Sequence, residues 1–164
     1  MVRILLGLGS NLGNRQSNLK KAIAMLAGVF TLSKLSSVYR TQSLLKDGQN
    51  DYFNVVCSCY TEMTAFDVLS FLQKTEKSLG RVKNTGRWGA RLIDIDIIDY
   101  GGVIMKEPNL VLPHERIFER SFVLYPLYEI EPKYIHPVSG CSVHDMIQKL
   151  EDDLNITLIG KLSL

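Results

Sequence analysis

The sequence predicts an α/β (α+β) two-layer sandwich, and three observations carry that reading. Strand-like segments are mixed with amphipathic helical ones along the chain, two helices open on capping-box signatures, and no repeat, low-complexity segment or linker breaks the order. At 164 residues the chain is expected to form one domain over 1–164, long enough to bury a core and too short for two ordinary ones.

VRILLGLG is a compact apolar strand, and SNLGNR turns out of it into a helix with Leu19, Ala22, Ile23 and Leu26 at helical spacing. Gly7, Gly9 and Gly13 invite a nucleotide-loop reading. Their spacing is one residue off the dinucleotide fingerprint and no Gly-Lys-Ser/Thr follows, so a tight strand-to-helix turn is the better account. KLSSVYRTQ is expected as the second strand and YFNVVCSCYTE as the third, joined by the polar LLKDGQND. Thr64 and Asp67 form a capping box that starts a helix through Val68, Leu69, Phe71, Leu72 and Leu79, ending at Gly80. The basic loop RVKNTGRWGAR then feeds the strand LIDIDIIDY, which Gly101-Gly102 is expected to turn back into VIM as a hairpin. Beyond LPHERIFER comes a short helix in SFVLYPLYEI, limited or kinked by Pro126. The tail carries a capping-box helix from Ser142 to Leu150 and a closing strand near ITLI.

The composition, 46% hydrophobic and 22% charged, is that of a soluble globular protein. A net charge of +2 announces neither a nucleic-acid nor a membrane partner, so any electrostatic function must come from local clustering. Three cysteines, an odd number, fit a reducing compartment, and Cys57 and Cys59 read as small core residues on one strand face, too far apart for an unstrained disulfide. No charged leader opens the chain and no apolar run reaches membrane-spanning length, so a cytoplasmic protein is expected.

The informative stretch is RWGARLIDIDIID. Asp94 and Asp96 stand two apart on a strand, hence on one face with Cα atoms roughly 6–7 Å apart, while Ile93, Ile95 and Ile97 face the core. Two ionised carboxylates so placed repel each other, and something positive should sit between them. An isolated D-x-D is as often a solvated strand face. Here Arg81, Lys83, Arg87 and Arg91 precede it without an intervening acid, with Trp88 among them. Paired acids for a hard cation such as Mg²⁺, next to arginines for phosphate oxygens, are the layout expected for a metal-bound polyphosphate. Phosphoryl-type transfer needs little covalent help beyond metal, positioning and positive charge, which points to a nucleotide-using transferase. Other residues are ambiguous taken singly. His114 and Arg120 could meet a phosphate or tie down a loop; Asn54 could cap a turn or read the edge of a heterocycle; Tyr52 and Phe122 could be core or ligand platform.

Several signals then fall into one order. G-S-N after the first strand, Y-R-T at 39–41, D-Y-F-N at 51–54, G-R-V-K at 80–83, R-W-G-A-R-L-I-D-I-D at 87–96, L-P-H at 112–114 and E-R-S-F-V-L-Y-P-L at 119–127 together resemble the hydroxymethyldihydropterin pyrophosphokinase family. The resemblance spans about residues 4–135. It implies a ferredoxin-like fold, mainly antiparallel sheet with helices packed on it, and transfer of pyrophosphate from ATP to 6-hydroxymethyl-7,8-dihydropterin with release of AMP, a step of folate synthesis. By matching position, Asp94 and Asp96 would hold two Mg²⁺ ions, with Asp96 a candidate proton acceptor for the substrate hydroxyl. Arg81, Lys83 and Arg91 would complete the catalytic set. Tyr52 and Phe122 would stack on the pterin, Thr41 and Asn54 would bind its edge, and Leu44 and Trp88 would adjoin it. Gln73, Arg81, Lys83, Trp88, Arg91, Ile97, His114 and Arg120 would contact ATP, with Glu76 supporting the basic loop. The implied partners are these two small molecules, with no nucleic acid and no membrane, and the implied state is a monomer.

Three positions depart from the pattern. Gln42-Ser43-Leu44 stands where proline is usual, Lys83 offers a point charge where a planar arginine fork is common, and Glu115 places an acid after His114. Two other readings use the same residues. A metal-dependent phosphohydrolase would put water in place of the pterin hydroxyl, and a ferredoxin-like nucleic-acid-binding module would share the architecture. The second is opposed by the absence of an RNP aromatic pattern and by a negative strand face that repels phosphate.

Overall fold

The computed structural model describes residues 1–43, 50–80 and 91–163. The expectations for Leu44, Arg81, Lys83, Arg87 and Trp88 lie outside the described residues.

Strand β1 (Val2–Ser10) leads into helix α1 (Arg15–Ala27), whose N-terminus is closed by Asn14 Oδ1 accepting the Ser17 N–H at 3.0 Å. Strands β2 (Thr31–Leu35), β3 (Val38–Thr41) and β4 (Tyr52–Thr61) follow, then α2 (Ala65–Ser78), opened by the expected Thr64/Asp67 capping box. Strand β5 (Asp94–Tyr100) comes next, then β6 (Met105–Glu107) and β7 (Leu110–Leu112), a 3₁₀ turn at Ile117–Glu119, α3 (Ser121–Ile130), α4 (Val143–Gln148) and β8 (Thr157–Gly160).

The main sheet runs β5-β1-β4-β3-β8, antiparallel throughout, with β2 also paired to β4. One face packs on α1 and α2, where Leu19, Ala22, Ile23 and Leu26 meet Val68, Leu72, Ile4, Leu6, Leu8 and Val55. Thus the helical stripe expected from spacing alone is the buried stripe of α1. The other face packs on α3 and α4 through Leu5, Val56, Ile98, Val123, Leu124, Leu127 and Met146. The expected sandwich is therefore present, and α3 and α4 add a second helical layer behind the sheet. Cys57 and Cys59 are buried and unbridged, with sulfurs 3.8 Å apart.

Two local expectations are corrected. KLSSVYRTQ is two strands, because Ser36 and Ser37 break it: Ser36 Oγ accepts the Val56 N–H at 2.9 Å, while the Ser37 N–H and Oγ both donate to Glu129 of α3. VIM does not pair back onto β5. Gly101 and Gly102, both at positive φ, do turn the chain, but Met105–Glu107 pairs with Leu110–Leu112 in a separate small hairpin. The outer edge of β5 is closed otherwise, by Glu76 Oε1 accepting the Ile95 N–H at 2.7 Å and by the His114 N–H donating to Ile98 O at 2.9 Å.

Candidate active site

The sheet face that carries α3 and α4 is apolar only along part of its length. Leu5, Val56 and Ile98 lie under the helices, and beyond them the same strands present Gly7 and Gly9 on β1, Asn54 on β4, and Asp94 and Asp96 on β5. Pairing aligns them: Gly7 stands opposite Asp96, and Gly9 stands opposite both Asp94 and Asn54. A Cβ at Gly9 would lie 3.1 Å from Asn54 Oδ1, and one at Gly7 would lie 3.3 Å from Ile98 Cδ1. The two glycines therefore form a low floor between the carboxylates and the amide. Period-two glycine within a strand was the available signal for this role, and the turn reading passed over it.

Each carboxylate has its own guanidinium. Arg91 Nη1 meets Asp94 Oδ2 at 2.8 Å, and Arg120 Nη1 meets Asp96 Oδ2 at 2.5 Å. The positive charge expected between the acids thus comes from two arginines, Arg91 three residues before Asp94 and Arg120 from a distant segment. Arg91 is held by its main chain: its N–H donates to Asn11 Oδ1 at 2.7 Å, and its carbonyl accepts the Asn11 N–H at 3.1 Å. His114 Nε2 lies 3.8 Å from Asp96 Oδ2. Burial, and then the Arg120 charge, push its pKa below the usual histidine value against the opposing pull of Asp96. Its Nδ1 accepts the Arg116 N–H at 3.1 Å, so the neutral ring carries its proton on Nε2, facing the carboxylate.

The other end of the cleft suits a flat ring. Asn54 and Thr41 are buried, and Asn54 Nδ2 donates to Thr41 Oγ1 at 3.0 Å. Tyr52, from the start of β4, and Phe122, from the first turn of α3, line the same space, and the Arg120 guanidinium sits 5.5 Å from the Phe122 ring centre. Burial raises the Tyr52 pKa, with the nearby Arg91 charge opposing and Asp94 reinforcing, so its phenol stays neutral at physiological pH. Together these residues enclose a cavity of about 820 Å³. Its size and mixed lining suit small-molecule ligands.

The structure thus brings Thr41, Tyr52, Asn54, Arg91, Asp94, Asp96, Arg120 and Phe122 to one cavity, with His114 beside Asp96. Gln73 is instead exposed on α2, Glu76 is buried behind β5, and the Ile97 side chain lies in the α1/α2 core. Only the main chain of Ile97 is available to a ligand on the carboxylate face. The sequence reading passed over Arg116, Phe118, Glu119 and the tail residues Lys149, Leu150, Glu151, Asp152 and Leu154, which also line the cavity.

Comparisons with known proteins give the family of the chain. Residues 5–132 match the family model described as 7,8-dihydro-6-hydroxymethylpterin-pyrophosphokinase. The chain is 38% identical over 138 residues to the 2-amino-4-hydroxy-6-hydroxymethyldihydropteridine pyrophosphokinase of Aquifex aeolicus, covering 84% of this chain and 86% of that one. It is 39% identical over 151 residues to the folic acid synthesis protein fol1 of Pneumocystis carinii, covering 91% of this chain but only 20% of that longer protein. A crystal structure of Plasmodium falciparum HPPK-DHPS superposes with a TM-score of 0.73 at 16% identity, over 90% of this chain and 44% of that one, a likeness of fold. No helix among the described residues is long and apolar enough to cross a membrane. With the family model matching most of its length, this chain belongs to the 7,8-dihydro-6-hydroxymethylpterin-pyrophosphokinase family.

Proposed function

We propose that this chain transfers pyrophosphate from ATP to the hydroxymethyl group of 6-hydroxymethyl-7,8-dihydropterin, releasing AMP, as a step of folate biosynthesis. The observation that carries the reading is a single cavity with two arginine-paired carboxylates at one end and a buried amide with two aromatic rings at the other. A polyphosphate and a flat heterocycle can lie there side by side.

The pterin hydroxyl oxygen bonds to the β-phosphorus of ATP as the bond from that phosphorus to the α,β-bridging oxygen breaks. AMP leaves with the bridging oxygen, and the hydroxyl gives up its proton, for which Asp96 is the candidate acceptor that the family resemblance implies. Asp94 and Asp96 would hold Mg²⁺, two ions by the family pattern. The fit rests on hard carboxylate oxygens beside two glycines whose missing side chains leave room. Bound there, Mg²⁺ supplies neutralisation of the polyphosphate charge. Arg91 and Arg120, released from the carboxylates, donate to phosphate oxygens, and His114 offers its Nε2 proton to the same group. Tyr52 and Phe122 stack on the pterin while Thr41 and Asn54 pair with its edge. Arg81, Lys83, Trp88 and Leu44 keep the roles that the family resemblance implies, as do Gln73, Glu76 and Ile97. The same reading takes 1–164 as one catalytic unit, monomeric and cytoplasmic.

Incubation with ATP, Mg²⁺ and the reduced pterin, followed by identification of the nucleotide product, tests this. AMP formed only with pterin is the expected result. ADP would mean an ordinary kinase, and loss of ATP without pterin a hydrolase.

A further inference from the structure

The family match ends at residue 132, yet part of the cavity wall comes from beyond it, from Lys149, Leu150, Glu151, Asp152 and Leu154. This segment is tied to both sides of the ring end. Ser121 Oγ donates to Asp153 O at 2.9 Å, the Gln42 N–H donates to Leu154 O at 3.0 Å, and Asn155 Nδ2 donates to Gln42 Oε1 at 2.8 Å. Gln42 follows Thr41, and Ser121 precedes Phe122. One turn therefore joins the strand bearing an edge-binding hydroxyl to the helix bearing a stacking ring.

The turn is built for that place. Asp152 Oδ1 accepts the Leu154 N–H at 2.7 Å, and Asp153 Oδ1 accepts the Asn155 N–H at 2.9 Å. Leu154 and Asn155 have φ of 55° and 49°, in the left-handed region that asparagine tolerates and leucine does not favour. Glycine at 154 would relieve that strain. A half-buried leucine that lines the cavity and is held there against its backbone preference points to work done by the side chain.

We infer that the turn Asp152–Asn155 is the third wall of the heterocycle subsite and a determinant of its specificity. Leu154 packs against the edge of the bicyclic ring, and the hydrogen bonds to Gln42 and Ser121 hold Thr41 and Phe122 at the spacing that ring requires. This rests on the reading that the ring end binds the reduced pterin.

Calorimetric titration of the full chain with reduced pterin and, separately, with a non-hydrolysable ATP analogue tests the inference, the unsubstituted chain being measured first. Leu154→Gly deletes the side chain while relieving the backbone. It is expected to keep or raise Tm, to weaken pterin binding about five- to tenfold and to leave the ATP analogue within about twofold. Leu154→Met, which keeps an apolar side chain, should retain pterin affinity. Asn155→Gly preserves the backbone and removes the bond to Gln42, and it should raise KM for pterin with kcat little changed. A merely structural turn would lose Tm and both affinities together. Pterin affinity within about twofold of the unsubstituted chain in both glycine variants would overturn the inference, and Asn155→Gly alone decides if Leu154→Gly does not fold. An unsubstituted chain that binds no reduced pterin would overturn the proposed function instead.

Discussion

Gly9 faces Asn54 across the β1–β4 pairing so closely that a methyl group at position 9 would sit 3.1 Å from Asn54 Oδ1. The amide is otherwise fixed, buried at 3% exposure and bonded to Thr41. Gly9→Ala must therefore displace the Asn54 carbonyl by a few tenths of an ångström or rotate the amide off Thr41. We expect pterin affinity to fall about tenfold with ATP affinity changed much less, because a Cβ at position 9 would meet Asn54 and Tyr52 and neither Arg91 nor Arg120. Paired calorimetric titrations check this, and equal loss of both ligands would indicate a distorted sheet rather than a displaced amide.

Asp94→Ala and Asp96→Ala should each reduce turnover by far more than tenfold, because each removes a proposed ligand of the Mg²⁺ that would neutralise the reacting phosphates. On repulsion between the acids alone, removing one would stabilise the free protein. The structure alters that expectation. Each carboxylate already neutralises a guanidinium, so its removal leaves Arg91 or Arg120 without that counterion. These partly exposed pairs are individually weak, so Tm should stay level or fall by only about 1–4 °C. Single-turnover rate and Tm measured on the same samples check the pair of statements, and a chelator should abolish turnover in the unsubstituted chain.

Glu129 sets a pH dependence of stability. Burial alone would raise its pKa, but donors from Lys161, Ser37 and Tyr39 outweigh that and hold it below the ordinary 4.5. With a folded pKa below the unfolded one, its contribution is fully present above pH 4.5 and is lost as pH falls through the folded value. Glu129→Gln should therefore be clearly less stable than the parent at pH 7, with the two melting temperatures converging as pH falls below 4.5 and through the folded value. A gap that stays constant from pH 7 to the acid limit would assign the effect to packing.

What was legible in the sequence was what depends on neighbours in the chain. The α1 stripe, the Thr64 and Ser142 caps and the alternation that puts Asp94 and Asp96 on one face of β5 each follow from a local period or a three-residue spacing. What escaped depends on distant partners. The break between β2 and β3 is caused by Glu129, some 92 residues away, and the counterion of Asp96 is Arg120, 24 residues on. The tail turn reaches the cavity only because β8 pairs with β3 and brings residues 152–155 beside Gln42. Gly7 and Gly9 were visible as letters, but their role as a floor required knowing which strands lie on either side of β1.

The ring end provides the last prediction, in which stacking and edge recognition separate on mutation. Phe122 contributes apolar area from α3, whereas Asn54 contributes a buried amide from β4, and the two share a cavity without sharing an element. Phe122→Ala should weaken every pterin analogue by a similar factor, including those with altered ring edges, because stacking is indifferent to the pattern of donors and acceptors. Asn54→Ala should penalise the correct pterin most. Its edge groups then enter a dry pocket without their partner, at a cost of about 1–3 kcal/mol, while Thr41 Oγ1 also loses the donor it now accepts from. Analogues lacking the matching edge group have less to lose, so the Asn54 variant should bind them nearly as well as the unsubstituted chain does. ATP affinity should change little in either case, although Phe122→Ala removes the ring on which the Arg120 guanidinium rests and should produce the larger of the two ATP effects. Calorimetric titration of a small analogue series against both variants checks the pattern. A uniform loss across the series in Asn54→Ala, matching that of Phe122→Ala, would show that the amide acts through the packing of the cavity and does not read the ring.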